Sequence, residues 1–311
     1  MDERIKIRIM NLNRELLQKK FGKSIIINEN LSKYTWFNVG GPADIFFRPK
    51  NKEELLNLLN EVKNYKKKIH ILGAGSNTLI RDKGVEGIVI KLSSNFSEMK
   101  IIGKDMIEVG AAALDRKVSD FATNNSIGNM EFLSCIPGSI GGAITMNSGC
   151  YGTDISQILN SINIIDEKGL EKEIKRDEIE FFYRGTNLPK NHIIISATLK
   201  GFLSSKDQIK KRQEDLIKKK KISQPSQIKT GGSTFKNSNG KKAWMLIKES
   251  GCDKLYIGDA KISDKHCNFF FNKGKAKASD IEQLIEKVTK EVYLKSGVKL
   301  ELEIKIIGDE K

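Results

Sequence analysis

The stretch Gly73-Ala74-Gly75-Ser76-Asn77-Thr78, entered from the apolar run Ile69-His70-Ile71-Leu72, decides how the rest of the chain is read. A strand that ends in glycines and small polar residues brings bare backbone N–H groups close to an anion, as a pyrophosphate requires. An ordinary turn has the same local sequence, so the reading depends on what accompanies it. A second segment, running from Ile136-Pro137-Gly138-Ser139-Ile140-Gly141-Gly142 through Asn147 and Gly149 to Gly152, holds five glycines in seventeen residues and hardly any charge. Its backbone is expected to pass close to something large. Neither segment has the Gly-x-x-x-x-Gly-Lys-Ser/Thr run of a P-loop. The dinucleotide pattern Gly-x-Gly-x-x-Gly is absent as well, which disfavours a Rossmann reading.

Composition narrows the classes. The chain has 311 residues, long for one core and suited to two or three domains. No apolar run approaches the roughly 20 residues needed to span a bilayer. Met1-Asp2-Glu3-Arg4-Ile5-Lys6 leads into no signal-peptide apolar core, so a cytoplasmic protein without membrane contact is expected. Cys135, Cys150, Cys252 and Cys267 form no close-spaced pair, and with only His70, His192 and His266 beside them no metal site is expected. The net charge of +15 raises nucleic acid as a partner. Lysines are nevertheless scattered, apart from Lys66–Lys68 and Lys218–Lys221, and no nucleic-acid motif accompanies them. A solvated lysine surface is the expectation, with no nucleic acid bound.

Along the chain, Leu55, Leu56, Leu59 and Val62 predict an amphipathic helix over Lys52 to Tyr65. Ile69–Leu72 and Gly87–Leu92 read as buried strands on either side of the first glycine loop. Short runs at Met106–Val109, Ser161–Ile165 and Ile193–Leu199 point to a second α+β unit, and Lys206 to Lys221 to a charged helix leaving it. Ser279 and Glu282 form a capping-box start, followed by the stripe Ile281, Leu284, Ile285, Val288 and Val292. Val298, Leu300, Leu302, Ile304 and Ile306 alternate with charged residues, as in a strand with one buried face.

Further motifs stand in order after the glycine segments: Tyr183-Arg184-Gly185-Thr186, Gly232-Ser233-Thr234-Phe235-Lys236-Asn237, His266-Cys267-Asn268-Phe269 and Leu300-Glu301-Leu302-Glu303. Together they resemble the UDP-N-acetylenolpyruvoylglucosamine reductase family from about Asn28 to Gly308. The resemblance implies an α+β fold: an FAD-binding domain of the p-cresol methylhydroxylase type in two α/β subdomains, plus a C-terminal α+β substrate-binding domain. The expected divisions are an N-terminal extension at 1–27, FAD-binding subdomains at 28–92 and 93–204, a substrate-binding domain at 205–296, and a C-terminal strand at 297–311 carrying a catalytic glutamate. It further implies NADPH-driven, FAD-dependent reduction of UDP-N-acetylglucosamine enolpyruvate to UDP-N-acetylmuramate, a step in peptidoglycan precursor synthesis. A monomer is expected. The short chain between Arg184 and Lys206 leaves no room for the tyrosine-bearing loop of the family's longer form.

By that resemblance, Gly73, Ala74, Gly75, Ser76, Asn77 and Thr78, with Pro137, Gly138, Ser139, Gly141, Gly142, Asn147 and Gly149, hold FAD. Neither loop places a histidine where the flavin ring should lie, so the binding is expected to be non-covalent. Arg184, read locally as a hairpin arginine, stabilises the enolate; Thr186 keeps a hydroxyl where the family commonly has serine. Ser233, read locally as a turn serine, becomes the proton donor. Glu301 and Glu303 share a strand face, and periodicity cannot choose between them; the family's pattern selects Glu303. Lys221, Lys236 and Asn237 are expected on the UDP-sugar, where compact ammonium charges suit a diphosphate. His266 is expected to be structural. Two other readings remain: an FAD-dependent alcohol oxidase, which has no need of the Arg184, Ser233 and Glu303 set, and a basic nucleic-acid-binding protein, which would carry no flavin.

Overall fold

The structure, a computed structural model, describes residues 14–63, 68–189, 191–237 and 240–309. Two compact units are assembled from non-contiguous stretches: one from residues up to 29 with 43–74 and 86–217, the other from 30–42, 75–85 and 218–311.

The first unit contains two sheets. One runs in the order Ile25–Asn30, Pro42–Phe47, Val85–Ile90, Ile69–Ile71, with the last two strands parallel. Helix Lys52–Val62 lays Leu55, Leu58, Leu59 and Val62 into its core. Asn51 caps that helix, its side-chain oxygen accepting the Glu54 N–H at 2.8 Å. The helix expected to reach Tyr65 is described to Val62, and residues 64–67 lie outside the described residues. Within the expected N-terminal extension, helix Arg14–Phe21 buries Leu17 and Phe21 in the same core, Phe21 edge-on to Phe47.

The second sheet is antiparallel, in the order Glu171–Lys175, Leu159–Ile165, Ile193–Lys200, Met106–Gly110, Met99–Ile102. Alternation in Met106–Gly110 turns Ile107 and Val109 inward. Both are completely buried in a core shared with helices Asp115–Asn124 and Ile140–Thr145, the latter formed by the second glycine segment. Bonds from Ile140 N to Ala113 O and from Gly141 N to Ala111 O hold that segment against the end of the strand.

In the second unit, a sheet ordered Lys229–Ser233, His266–Asn272, Ala260–Ser263, Tyr256–Ile257 is covered by helices Ala243–Glu249 and Ala278–Ser296. The apolar stripe of the latter helix is buried as expected. Its start differs from the expectation: the helix begins at Ala278, and Ser279 and Glu282 do not form the capping box. Asp82 instead accepts from the Ala278 and Ser279 N–H groups at 2.8 and 2.9 Å, and Glu282 pairs with Arg81 at 3.0 Å. Burial pushes the Asp82 carboxyl up, and those hydrogen bonds outweigh it, leaving the group below the ordinary carboxylate range.

The terminal strand is also shorter than expected. Regular pairing covers Lys305–Ile307, parallel to Thr78–Ile80, while Leu302 makes a single bridge to Phe235. The burial alternation survives only in part: Leu300 and Ile304 are buried and Glu301 and Lys305 exposed, whereas Leu302 and Glu303 are both half-buried. The backbone bonds of this segment go to two different partners, so no single ladder extends along it.

Candidate active site

In the first unit the two glycine segments meet at Ser139. A Cβ placed on Gly73 would lie 2.8 Å from the Ser139 hydroxyl oxygen, and one on Gly142 would lie 3.7 Å from it. A side chain at position 73 would crowd the Ser139 hydroxyl, so glycine there lets the two segments approach.

The same unit holds Arg184 against the second segment. Arg184 occupies the two-residue turn between the paired strands Phe181–Phe182 and Gly185–Thr186, with φ of 62°. A left-handed residue with a side chain costs about 1–2 kcal/mol, which glycine or asparagine would lessen. The half-buried guanidinium lies 4.9 Å from the Tyr183 ring centroid and donates through Nη2 to the Gly149 carbonyl at 3.1 Å. Asn147 makes the reciprocal tie. Its buried amide donates to Phe182 O at 3.2 Å and accepts from Ser156 N at 3.1 Å. Hairpin and glycine segment are thus joined at both ends of the Asn147–Gly149 stretch.

Asp115 lies beneath this segment. Its carboxyl is fully buried, both oxygens are without a hydrogen-bond partner, and a Cβ on Gly138 would come within 2.4 Å of Oδ2. Burial drives its pKa well above the usual carboxylate value.

In the second unit, the first loop continues through Gly75, whose φ of 70° and lack of Cβ let it pass Tyr34 O, which a Cβ would meet at 1.9 Å. Asn77 donates from Nδ2 to Glu303 O at 3.0 Å, and its own carbonyl accepts from Lys305 N at 2.8 Å. Glu303 N in turn donates to Thr234 O at 2.9 Å. Residues from the first glycine loop, the Ser233 segment and the terminal segment therefore share one backbone network.

Ser233 ends its strand at an irregularity: between Thr230 and Ser233 there is one residue more than between their partners Phe271 and Phe269. Such a bulge re-aims a side chain. Gly231 permits it, since a Cβ there would lie 2.3 Å from the Phe37 ring. Asn268 pins the chain just beyond Ser233, its buried side chain accepting from Phe235 N at 3.0 Å and donating to Phe235 O at 2.8 Å. Ser233 itself is half-buried.

The two glutamates separate clearly. Glu303 is half-buried, whereas the Glu301 side chain is 69% exposed and forms a 3.8 Å ion pair with Lys236. The Asn237 side chain is engaged as well, accepting from Ala243 N at 3.0 Å at the start of a helix. Lys221 is exposed in the last turn of helix Lys206–Ser223. His266 packs edge-on to Phe269 with ring centroids 4.9 Å apart, and burial lowers its pKa. Cys252 and Cys267 are buried thiols.

Sequence reasoning missed Asp115 and Lys91, and it quoted Asn268 within a motif without assigning it a part. Lys91 carried a local signal, being a lone charge in the run Ile88-Val89-Ile90-Lys91-Leu92.

A family model described as FAD binding domain matches residues 43–175, and one described as UDP-N-acetylenolpyruvoylglucosamine reductase, C-terminal domain, matches residues 224–307. The UDP-N-acetylenolpyruvoylglucosamine reductase of Pelagibacter ubique is 46% identical over 93% of this chain and 96% of its own length. That of Gluconobacter oxydans is 44% identical over 90% and 91%. The solved UDP-N-acetylenolpyruvylglucosamine reductase from Thermus caldophilus superposes with a TM-score of 0.79 at 31% identity, covering 91% of this chain and 98% of that one. With its FAD-binding and C-terminal domains matched and relatives aligned over nearly their whole length, the chain belongs to the UDP-N-acetylenolpyruvoylglucosamine reductase family.

Proposed function

We propose that this chain reduces UDP-N-acetylglucosamine enolpyruvate to UDP-N-acetylmuramate in peptidoglycan precursor synthesis, with Arg184, Ser233 and Glu303 as its catalytic residues. FAD, held by the two glycine segments, would supply the hydride chemistry that links NADPH to the enolpyruvyl carbon distal to the carboxylate. The protein's own task is to stabilise the enolate that results and to protonate the carbon next to the carboxylate. The observation that carries the reading is the 2.9 Å bond from Glu303 N to Thr234 O, which sets Glu303 beside the residue after Ser233.

The Arg184 guanidinium is permanently charged and planar, and matches a carboxylate or an enolate. Its bond to Gly149 O holds it on the glycine segment assigned to the flavin. Ser233 supplies the proton. An alcohol is too weak an acid to protonate anything but a strongly basic acceptor, and the enolate is one. Glu303, half-buried on the segment beside Thr234, assists at the same intermediate. Gly73, Ala74, Gly75, Ser76, Asn77 and Thr78, with Pro137, Gly138, Ser139, Gly141, Gly142, Asn147 and Gly149, hold FAD without a covalent bond.

Lys221, Lys236 and Asn237 bind the UDP-sugar. The Lys236–Glu301 pair is long, at 3.8 Å, and its carboxylate is exposed, so it contributes little and the ammonium is available to a diphosphate. A cytoplasmic monomer suits a reaction between two soluble nucleotides, and no helix among the described residues is long and apolar enough to cross a membrane. An absorbance spectrum tests the reading: a flavin band should bleach on NADPH and return on addition of the enolpyruvyl substrate. Folded protein without a flavin band contradicts it.

A further inference from the structure

A lysine, Lys91, directly follows the strand Val85–Ile90. Lys91 continues the backbone pairing, its N–H bonded to Phe47 O at 2.9 Å, while the side chain turns to the first glycine loop and Nζ donates to the Gly73 carbonyl. The side chain is half-buried. No carboxylate of the described residues forms an ion pair with it, and the charged group that acts on it is Arg48, a second cation. Lysines are rarely drawn into a protein without a counter-charge, because desolvating an ammonium is costly. Burial first, then Arg48, pushes its pKa down to about 8. A carbonyl oxygen offers a dipole to the ammonium and leaves its charge uncompensated. The location supplies what is missing. Gly73 is where the two glycine segments converge, since a Cβ there would touch the Ser139 hydroxyl at 2.8 Å.

We propose that Lys91 is a flavin-binding residue, whose ammonium, held by the Gly73 carbonyl at the junction of the two glycine segments, neutralises the diphosphate of the dinucleotide. The inference rests on the FAD reading above and assigns a charge to a site otherwise made of backbone. Lysine suits the role as a compact point charge for phosphate oxygens.

The test is flavin release from the holoprotein on dilution, monitored by the rise in free-flavin fluorescence, for wild type, Lys91→Met, Lys91→Gln and Lys91→Arg. The proposal expects Kd for FAD to rise about tenfold or more in the Met and Gln variants and to stay within about threefold of wild type in the Arg variant. Glutamine keeps a donor for Gly73 O without the charge. A Gln variant that binds like wild type therefore reduces Lys91 to a scaffold for the loop and overturns the proposal, as does a Met variant with unchanged affinity. Melting temperatures identify any variant that fails to fold, and the Gln and Arg pair decides between charge and scaffold if the Met variant does. Wild-type protein that holds no flavin refutes the FAD reading itself, an outcome distinct from the others.

Discussion

Asn77 donates to the backbone carbonyl of Glu303 at 3.0 Å, joining the first glycine loop to the terminal segment across 226 positions of sequence. Lys305 N returns a bond to Asn77 O at 2.8 Å. One asparagine thus fixes the segment that carries the glutamate assigned to the chemistry.

Replacing Asn77 with alanine is expected to lower stability by about 1 kcal/mol, the net value of a partly buried hydrogen bond. Turnover should fall further than that loss of folded protein explains, because the Glu303 backbone loses its anchor. Chemical denaturation together with steady-state assays checks both. Equal, small losses in the two would show that Glu303 keeps its place without Asn77.

Glu303→Gln is expected to cut turnover by at least about a hundredfold, the low end for a positioned acid–base group, with flavin content unchanged. Glu301→Gln is expected to cost little, since its side chain is 69% exposed and its 3.8 Å partner Lys236 gains little from the pair. Assays of the two variants side by side read the difference. If the 301 variant is the inactive one, the terminal motif has been assigned one strand repeat out of place.

Asp115 gives the protein a pH signature. Its folded pKa is raised by burial, so between the ordinary carboxylate value and the raised one the folded state holds more protons than the unfolded state. Its contribution is fully present below the unfolded pKa and is lost as pH rises through the folded one. Wild type should therefore lose stability relative to Asp115→Asn as pH is raised from acid into that window. Melting temperatures of both across pH check the sign. A difference that does not change with pH would mean that Asp115 ionises as it does in the unfolded chain.

The parts of this fold that depend on local spacing are legible in the sequence. The helix Ala278–Ser296 and the burial of Leu300 and Ile304 follow from the placement of apolar residues alone. The glycine segments announce a backbone in close approach, as at Gly73 and Gly75. Non-local bonds are not legible in this way. Asp82, far away in sequence, takes the helix start that Ser279 and Glu282 are spaced to cap, because its carboxylate reaches two N–H groups at once. The terminal strand reads as continuous because apolar alternation reports burial, whereas its backbone partners change from Thr234 to Asn77 within a few residues. Periodicity leaves Glu301 and Glu303 equivalent; exposure separates them, and exposure depends on what the strand meets. Lys91 escapes a sequence reading because its meaning lies in Gly73, on a different strand end.

The central claim is that Ser233 delivers the proton to the reduced substrate and takes no part in flavin reduction, and stopped-flow measurement of the two half-reactions in Ser233→Ala tests it most directly. NADPH should bleach the flavin of the variant at nearly the wild-type rate. Reoxidation by UDP-N-acetylglucosamine enolpyruvate should slow by about 10⁴-fold, the upper end for a positioned general acid. Reoxidation at the wild-type rate, or a variant whose flavin NADPH no longer reduces, would contradict the assignment.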